Sequence, residues 1–335
     1  MTIKDLSAQT GYSVGTISRV LNNQPNVSQK ARDTILRAAS QCGFQLNANA
    51  KQLKQQHSNS ILVLVKGTNN KVFSSLVERI QDRIAETSYS LIVDYMDEAE
   101  NEVLRALQLI REKKPLGILF LGGNKEPFLA DFEKIQRPCV LVTNDASHFP
   151  FPNLSSVSSD DKLAGKMAIE HLISLGHRKI ALIAGDHTYS DIGRLRYEGA
   201  MEAFREHNIT FDPETDCETV RYTCPDGYNA AQRLLERDRD FTAIFAMSDV
   251  MAVGAIRGLR DAGKCVPEDI SVIGFDGVEL GEYFIPRLAS ISQNVEALAD
   301  RSFRMLLENI EQNTAAHYEI LPVRLLDRES ARRIV

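Results

Sequence analysis

The chain has no uninterrupted apolar run of the ~18 residues that a membrane-spanning helix needs. Its opening residues, Met1-Thr2-Ile3-Lys4-Asp5, do not lead into the apolar stretch of a secretory leader. A cytoplasmic protein with no membrane partner is therefore expected. Cysteine is sparse: Cys42, Cys139, Cys217, Cys224 and Cys265 are odd in number, scattered, and form no C-x-x-C pair. That pattern argues against a disulfide framework or a zinc site and leaves reduced thiols. The H-E-x-x-H, G-x-x-x-x-G-K-[ST] and G-x-G-x-x-G patterns are missing too. Asp145 near His148 and Asp186 beside His187 are isolated acid–histidine neighbours with no nucleophile in register. No catalytic residue, metal ligand or cofactor is expected, and binding is the better reading.

What the chain does have is length and uneven charge. At 335 residues, with 43% hydrophobic and 25% charged residues, it can form two or three folded units. The net charge of −6 is not shared evenly. Residues 1–57 carry Lys4, Arg19, Lys30, Arg32, Arg37, Lys51 and Lys54 against Asp5 and Asp33, a net +5 that leaves −11 for the remainder. A basic head on an acidic body assigns any contact with a polyanion to the head.

Within the head, Thr2 can cap a helix reaching about Thr10, with Ile3 and Leu6 inward. Gly11-Tyr12 breaks it and Ser13 caps the next, in which Ile17, Val20 and Leu21 form one buried stripe. The opposite face, Val14, Gly15, Thr16 and Ser18, is thin, and Arg19 is its single long arm. Two short helices around a tight glycine turn make a helix-turn-helix, whose second helix reads the major groove from its N-terminal part. Ser28 caps a third helix, with Ala31, Ile35, Leu36 and Ala39 expected inward. From Phe44 to Asn59 the composition turns to Asn, Gln and Lys, too poor in apolar surface for a free helix. Leu53 is the large apolar residue of its Asn- and Gln-rich core and has no evident partner.

After Ser60 the pattern alternates. Apolar runs at 61–65, 91–95, 117–121, 140–142, 179–184, 218–222, 243–247 and 270–275 read as strands. Helical stretches at 73–85, 101–113, 163–175, 196–207, 228–236 and 250–262 fall between them. Such alternation gives parallel sheets with crossover helices, and the number of strands favours two similar halves. Ligands of parallel sheets bind beyond the carboxyl ends of the strands. That rule selects Lys66, Gly122-Gly123-Asn124, Asn144-Asp145, Asp186, Ser248-Asp249 and Asp276. Asp276 either accepts hydrogen bonds from a ligand or caps the next turn, and Asp249 has the better claim to be a helix cap. Arg194 and Arg196 stand at the expected start of a helix, where a cation opposes the macrodipole, a cost that makes sense if one enters a cleft. Phe73 and Tyr222 can stack on a ligand or simply pack in the core.

Taken together, Thr2-Ile3-Lys4-Asp5-Leu6, Ser13 through Asn22, Val27-Ser28 and Gly43-Phe44 resemble the head of the lactose-repressor (LacI/GalR) family of bacterial transcription regulators. His171 through Ile180, Arg194 through Gly199, Ser248 through Gly254, Pro267 through Asp276, Leu321-Pro322-Val323 and Arg328-Glu329-Ser330 extend the resemblance through the body.

The resemblance implies an all-α helix-turn-helix head at 1–46, a hinge helix or linker at 47–59, and a two-lobed α/β periplasmic-binding-protein-like core at 60–335. It places the first lobe at about 60–160 plus 291–322 and the second at about 161–290 plus 323–335. It implies a homodimer on double-stranded, pseudo-palindromic operator DNA, and the absence of a C-terminal heptad helix before Val335 points to a dimer. By position, Lys4, Val14, Gly15 and Arg19 would face bases, and Ser13, Thr16, Ser18, Asn22 and Ser28 would hold phosphates. Asn47 and Leu53 would be the DNA residues of the hinge, Leu53 as a minor-groove wedge. Phe73, Arg196, Tyr222, Ser248 and Asp276, with Asp249 nearby, would bind a small-molecule effector. Gln45-Leu46-Asn47 and Lys51 depart from the usual proline, asparagine and arginine around the hinge, and Ser248 from a frequent asparagine.

The implied function is a repressor of carbohydrate-utilisation genes released by a sugar or sugar derivative. Co-repression by a purine or a phosphorylated carrier protein is the alternative, and a sugar receptor or enzyme is a more distant one.

Overall fold

The structure, a computed structural model, describes residues 3–21, 27–42, 59–67, 70–185, 191–237 and 240–334. It divides into two compact units, Met1–Ser58 and Asn59–Val335.

In the first unit α1 (Ile3–Thr10), α2 (Val14–Leu21) and α3 (Gln29–Gln41) pack around Leu6, Ile17, Val20, Ile35 and Ala39. Gly11 makes the turn at φ 73°, and Ser7 Oγ donates to Tyr12 O at 2.7 Å to hold it. The caps come from serine. Ser13 Oγ accepts from Thr16 N at 3.2 Å, and Ser28 Oγ from Ala31 N at 3.3 Å. Gly11-Tyr12-Ser13-Val14-Gly15 also spells the G-x-S-x-G of a hydrolase nucleophile turn. Here it joins helix to helix instead of strand to helix, and its serine is a cap. Leu36, expected inward, is 46% exposed, because the core face of α3 runs through Ala31, Ile35 and Ala39 and leaves position 36 outside. Asn22, Asn47, Leu53 and the expected hinge lie outside the described residues.

The second unit begins with β1 (Ser60–Lys66), α4 (Lys71–Ala85), β2 (Ser90–Met96), α5 (Glu102–Lys113), β3 (Gly117–Leu121), α6 (Lys125–Asp131), β4 (Cys139–Thr143) and β5 (Leu154–Ser159). The chain then passes to a second lobe. There it forms α7 (Asp161–Ser174), β6 (Ile180–Gly185), α8 (Asp191–Glu206), α9 (Pro213–Asp216), β7 (Cys217–Val220), α10 (Cys224–Glu236), β8 (Ala243–Ala246), α11 (Asp249–Asp261), β9 (Ser271–Asp276), α12 (Leu280–Tyr283) and β10 (Ala289–Ser292). It returns to the first lobe for α13 (Val295–Gln312) and β11 (Tyr318–Leu321), and crosses again to β12 (Arg324–Leu326). The sheets run β11-β5-β4-β3-β1-β2 and β12-β10-β9-β8-β6-β7, parallel except for the antiparallel β10–β12 pair. Among the described residues no helix is long and apolar enough to cross a membrane.

Residues 291 and 292, expected in the first lobe, belong to β10 and pair with Phe275 and Asp276 of the second sheet, so the chain leaves that sheet only after Ser292. The strand β5, Leu-Ser-Ser-Val-Ser-Ser, has no hydrophobic signature yet is buried throughout. Two of its serines are accommodated by hydrogen bonds from distant groups: Ser155 Oγ accepts from Asn309 Nδ2 at 3.0 Å and His317 N at 3.1 Å, and Ser156 Oγ accepts from Ala146 N at 2.9 Å, whereas the buried Ser158 Oγ has no hydrogen-bond partner.

Candidate functional site

On the head, α2 separates its faces as the apolar spacing requires. Ile17 and Val20 are buried, while Ser13, Val14, Gly15 and Arg19 are exposed and Thr16 and Ser18 half-buried. A Cβ built on Gly15 meets only Ser13 Oγ, at 3.8 Å. The N-terminal end of α2 is therefore bare enough to approach a groove, and Arg19 supplies a planar fork of donors that suits a guanine edge. Lys4 lies on α1, and Ser28 is exposed at the start of α3.

In the core, the carboxyl ends of strands from both sheets border a cleft of about 320 Å³. Phe73, Arg196, Tyr222, Ser248 and Asp276 all line it, as do Lys66, Gly122, Gly123 and Asn144 from the strand-end set. Asp186 lies outside the described residues. Phe73 sits on α4, which Asn70 caps by accepting from Val72 N at 3.0 Å and Phe73 N at 3.4 Å. Its ring belongs both to the core and to the cleft wall. Tyr222 enters from the second lobe across Gly185, where an added Cβ would lie 2.0 Å from the phenol oxygen, so only glycine admits the ring.

Arg196 is 2% exposed. Its Nε donates to Asp161 Oδ1 at 2.7 Å and its Nη1 to Met247 O at 2.7 Å, while its guanidinium lies 3.5 Å from the Phe275 ring centroid. Burial pushes the Asp161 carboxyl up and Arg196 pulls it back. Because α8 begins at Asp191, Arg196 stands beyond its first turn and escapes the dipole cost expected for it, while Arg194, the fourth residue, closes that turn. Arg194 is exposed and pairs with Glu198 at 2.5 Å, whereas Arg196 is held within the wall.

Asp249 is placed differently from the expectation. Ser248 caps α11, accepting from Met251 N at 3.3 Å, and Asp249 turns away behind the cleft wall at 1% exposure. Its carboxylate accepts from Ser290 Oγ at 2.6 Å and Val278 N at 2.7 Å, bracing the segment that follows β9. Burial and the neighbouring Asp276 push the Asp249 carboxyl up to about 8. Burial raises Asp276 to about 6, against the pull of Arg196 and a hydrogen bond from Gln293. Asp276 also holds a φ of 115°, and Thr143, at the end of β4, a φ of 78°. Such backbone strain in non-glycine residues is characteristic of functional surfaces.

Gln293 went unread in the sequence because it follows β10, whose short Ala-Ser-Ile-Ser run carries little apolar signal. It lines the cleft, donates from Nε2 to Asp276 Oδ1 at 2.9 Å, and accepts from Ser159 Oγ at 3.0 Å. Arg221 was also missed. It follows β7 and pairs with Glu98 after β2, with Asp97 at 4.0 Å, so an ion pair joins the lobes beside the cleft. Lys66 is neutralised by buried Glu102, which also accepts from Asn124 N at 2.6 Å.

A helix-turn-helix head joined in one chain to a two-lobed α/β ligand-binding core defines a ligand-responsive DNA-binding protein. Residues 2–47 match the model for bacterial regulatory proteins of the lacI family, and residues 169–331 match that for a periplasmic binding protein-like domain. The HTH-type transcriptional regulator MalR of Clostridium butyricum is 34% identical over 98% of this chain and 99% of its own. The crystal structure of the lac repressor dimer bound to operator and the anti-inducer ONPF matches with a TM-score of 0.81 at 25% identity, covering 99% of each chain. The complex of the transcriptional regulator CelR with cellobiose matches with a TM-score of 0.73 at 27% identity, covering 99% of this chain and all of that one. The chain belongs to the lacI family and is a DNA-binding transcriptional regulator, not an enzyme.

Proposed function

We propose that the protein is a cytoplasmic repressor that binds a pseudo-palindromic operator as a homodimer and is released by a sugar or sugar derivative held between its lobes. The observation that carries this reading is the cleft. An aromatic ring from each lobe, Phe73 and Tyr222, borders a polar wall in which Asp276, Ser248 and Gln293 can exchange hydrogen bonds with ring hydroxyls. Arg196 orders that wall from within, and Asp249 supports it from behind. The head would occupy 1–46, the hinge 47–59 and the effector core 60–335. Lys4, Val14, Gly15 and Arg19 would face bases, and Ser13, Thr16, Ser18, Asn22 and Ser28 phosphates, with Asn47 and Leu53 acting from the hinge. Tyr283 and Ile285, 75% and 79% exposed, are apolar surface suited to a second copy.

An effector changes operator affinity only by as much as it prefers one state of the core, and a 100-fold preference corresponds to about 2.7 kcal/mol per site. The test is fluorescence anisotropy of the full chain on a labelled palindromic duplex recovered by selection from random DNA, titrated with neutral and phosphorylated sugars. Release by a sugar supports the reading, and the affinity should fall steeply with salt. If no sugar lowers operator affinity, or if one raises it, release by a sugar is wrong.

A further inference from the structure

We infer that Arg221, with Glu98 and Asp97, forms a latch between the lobes that sets how often the empty cleft stands open to an effector. The latch belongs to the core itself and holds whether or not that effector is a sugar.

The chain crosses between the lobes from β5 and β11 on one side and from β10 and β12 on the other. Those strands stand together at one edge of each sheet, β11-β5 in the first and β12-β10 in the second. At the opposite edges stand β2 and β7, and the latch residues follow them directly: Asp97 and Glu98 after Met96, and Arg221 after Val220. Hinge and ion pair therefore occupy opposite ends of the cleft. From β5 to β2 the sheet order β5-β4-β3-β1-β2 spans a lever of roughly 19 Å, at about 4.8 Å per strand. A hinge rotation of about 10° would part the charges by about 3 Å, enough to break the pair.

Ordered turns present both sides. Asp97 Oδ1 accepts from Ala99 N at 2.9 Å and Asp97 O from Glu100 N at 3.1 Å, while Arg221 O accepts from Thr223 N at 2.8 Å. Thr223 in turn caps α10, its Oγ1 accepting from Asp226 N at 3.1 Å. Little backbone entropy is then lost when the side chains meet. The side chains of Arg221 and Glu98 are 51% and 22% exposed, and a pair so open to water shifts an equilibrium only a few-fold. That strength suits a contact that breaks and re-forms. The buried pairs Arg196–Asp161 and Lys66–Glu102 differ, each fastening groups within one lobe. Because Asp97, Glu98 and Arg221 also line the cleft, access past them depends on the fraction of time their pair is broken.

The experiment measures the distance between lobes by double electron–electron resonance on the full chain without effector. Nitroxides are coupled to p-acetylphenylalanine at Leu104, exposed on α5 of the first lobe, and at Asn229, exposed on α10 of the second, which leaves the native cysteines in place. Labelled protein is diluted with unlabelled chain so that the pair within one chain dominates. Arg221→Gln should raise the ratio of longer to shorter distances about threefold, and Arg221→Glu should raise it further. Adding Glu98→Arg to Arg221→Glu should return the ratio to within about twofold of the parent. Salt raised from about 0.05 M to about 0.5 M should open the parent and leave Arg221→Gln unchanged. The latch is overturned if Arg221→Gln keeps the parent's distances, if exchanging the charges restores nothing, or if salt shifts both proteins equally.

Discussion

The Gln293 side chain connects the lobes through Asp276. It donates to Asp276 Oδ1 at 2.9 Å and accepts from Ser159 Oγ at 3.0 Å, so the last residue of β9 is tied to the last residue of β5. Gln293→Leu should weaken the effector response about 10-fold and leave operator affinity without effector unchanged. Removing the donor also pushes the Asp276 carboxyl further up, so the ionised form is reached only at higher pH. The effector response of the variant should therefore recover partly as pH rises, which operator release measured at pH 6 and pH 8 will detect. A variant with the parent's response at both values would separate Gln293 from the cleft's function.

Arg196 is a structural member of the wall before it is anything else. Truncation to alanine leaves Asp161 buried without its cation and strips the cover from Phe275, a loss of about 3–5 kcal/mol by comparison with other broken buried pairs. Urea denaturation of Arg196→Ala should show that loss, and Arg196→Lys an intermediate one. Loss of effector response in the alanine variant would not by itself identify a ligand contact. Asp276→Asn, which keeps shape and removes charge, is the cleaner probe.

Asp249 makes stability depend on pH. Its carboxyl lies at about 8 in the folded protein, against about 3.9 in an unfolded chain. The folded state therefore binds the extra proton, and this contribution is complete below about pH 4 and is lost as pH rises through about 8. The slope in between is at most about 1.4 kcal/mol per pH unit. Asp249→Asn keeps one acceptor oxygen, for Val278 N, turns an amide N–H toward Ser290 Oγ, which can accept it, and cannot ionise. Its melting temperature relative to the parent should rise between pH 5 and pH 9, and a constant difference would contradict the assignment.

The exposed end of α2 can be rewritten without disturbing the head. Gly15 has open space around it, and replacing a helical glycine stabilises by about 0.5–1 kcal/mol. Exchange of Val14 and Gly15 for longer polar residues should change the preferred operator while thermal stability and effector affinity hold. Selection from a randomised duplex pool reads the new preference. An unchanged consensus would mean that another part of the head faces the bases.

The sequence shows most clearly what periodicity and caps encode. The helices of the head, the Ser28 cap, the strand Gly117–Leu121 and the strand-end residues of the cleft follow from spacing alone. Elements whose burial depends on distant partners were not readable. The polar strand β5 is stable because Asn309 and His317, far along the chain, satisfy Ser155. The crossing residue Gln293 carries no local pattern at all. Ser248 lines the cleft as expected but also takes the cap that Asp249 was expected to supply, for a similar reason: both are good caps, and only the position of Ser290 shows that Asp249 turns inward.

Thr143 and Asp276 keep positive φ where β4 and β9 end at the cleft. That geometry divides the wall into parts that tolerate change and parts that resist it. A β-branched or bulky residue at position 276 would have to hold a backbone conformation it disfavours. Lys71 and Tyr222 border the same space from ordinary backbone. A library intended to retarget this regulator to an unrelated small molecule should hold 143 and 276 constant and draw its diversity from 71 and 222.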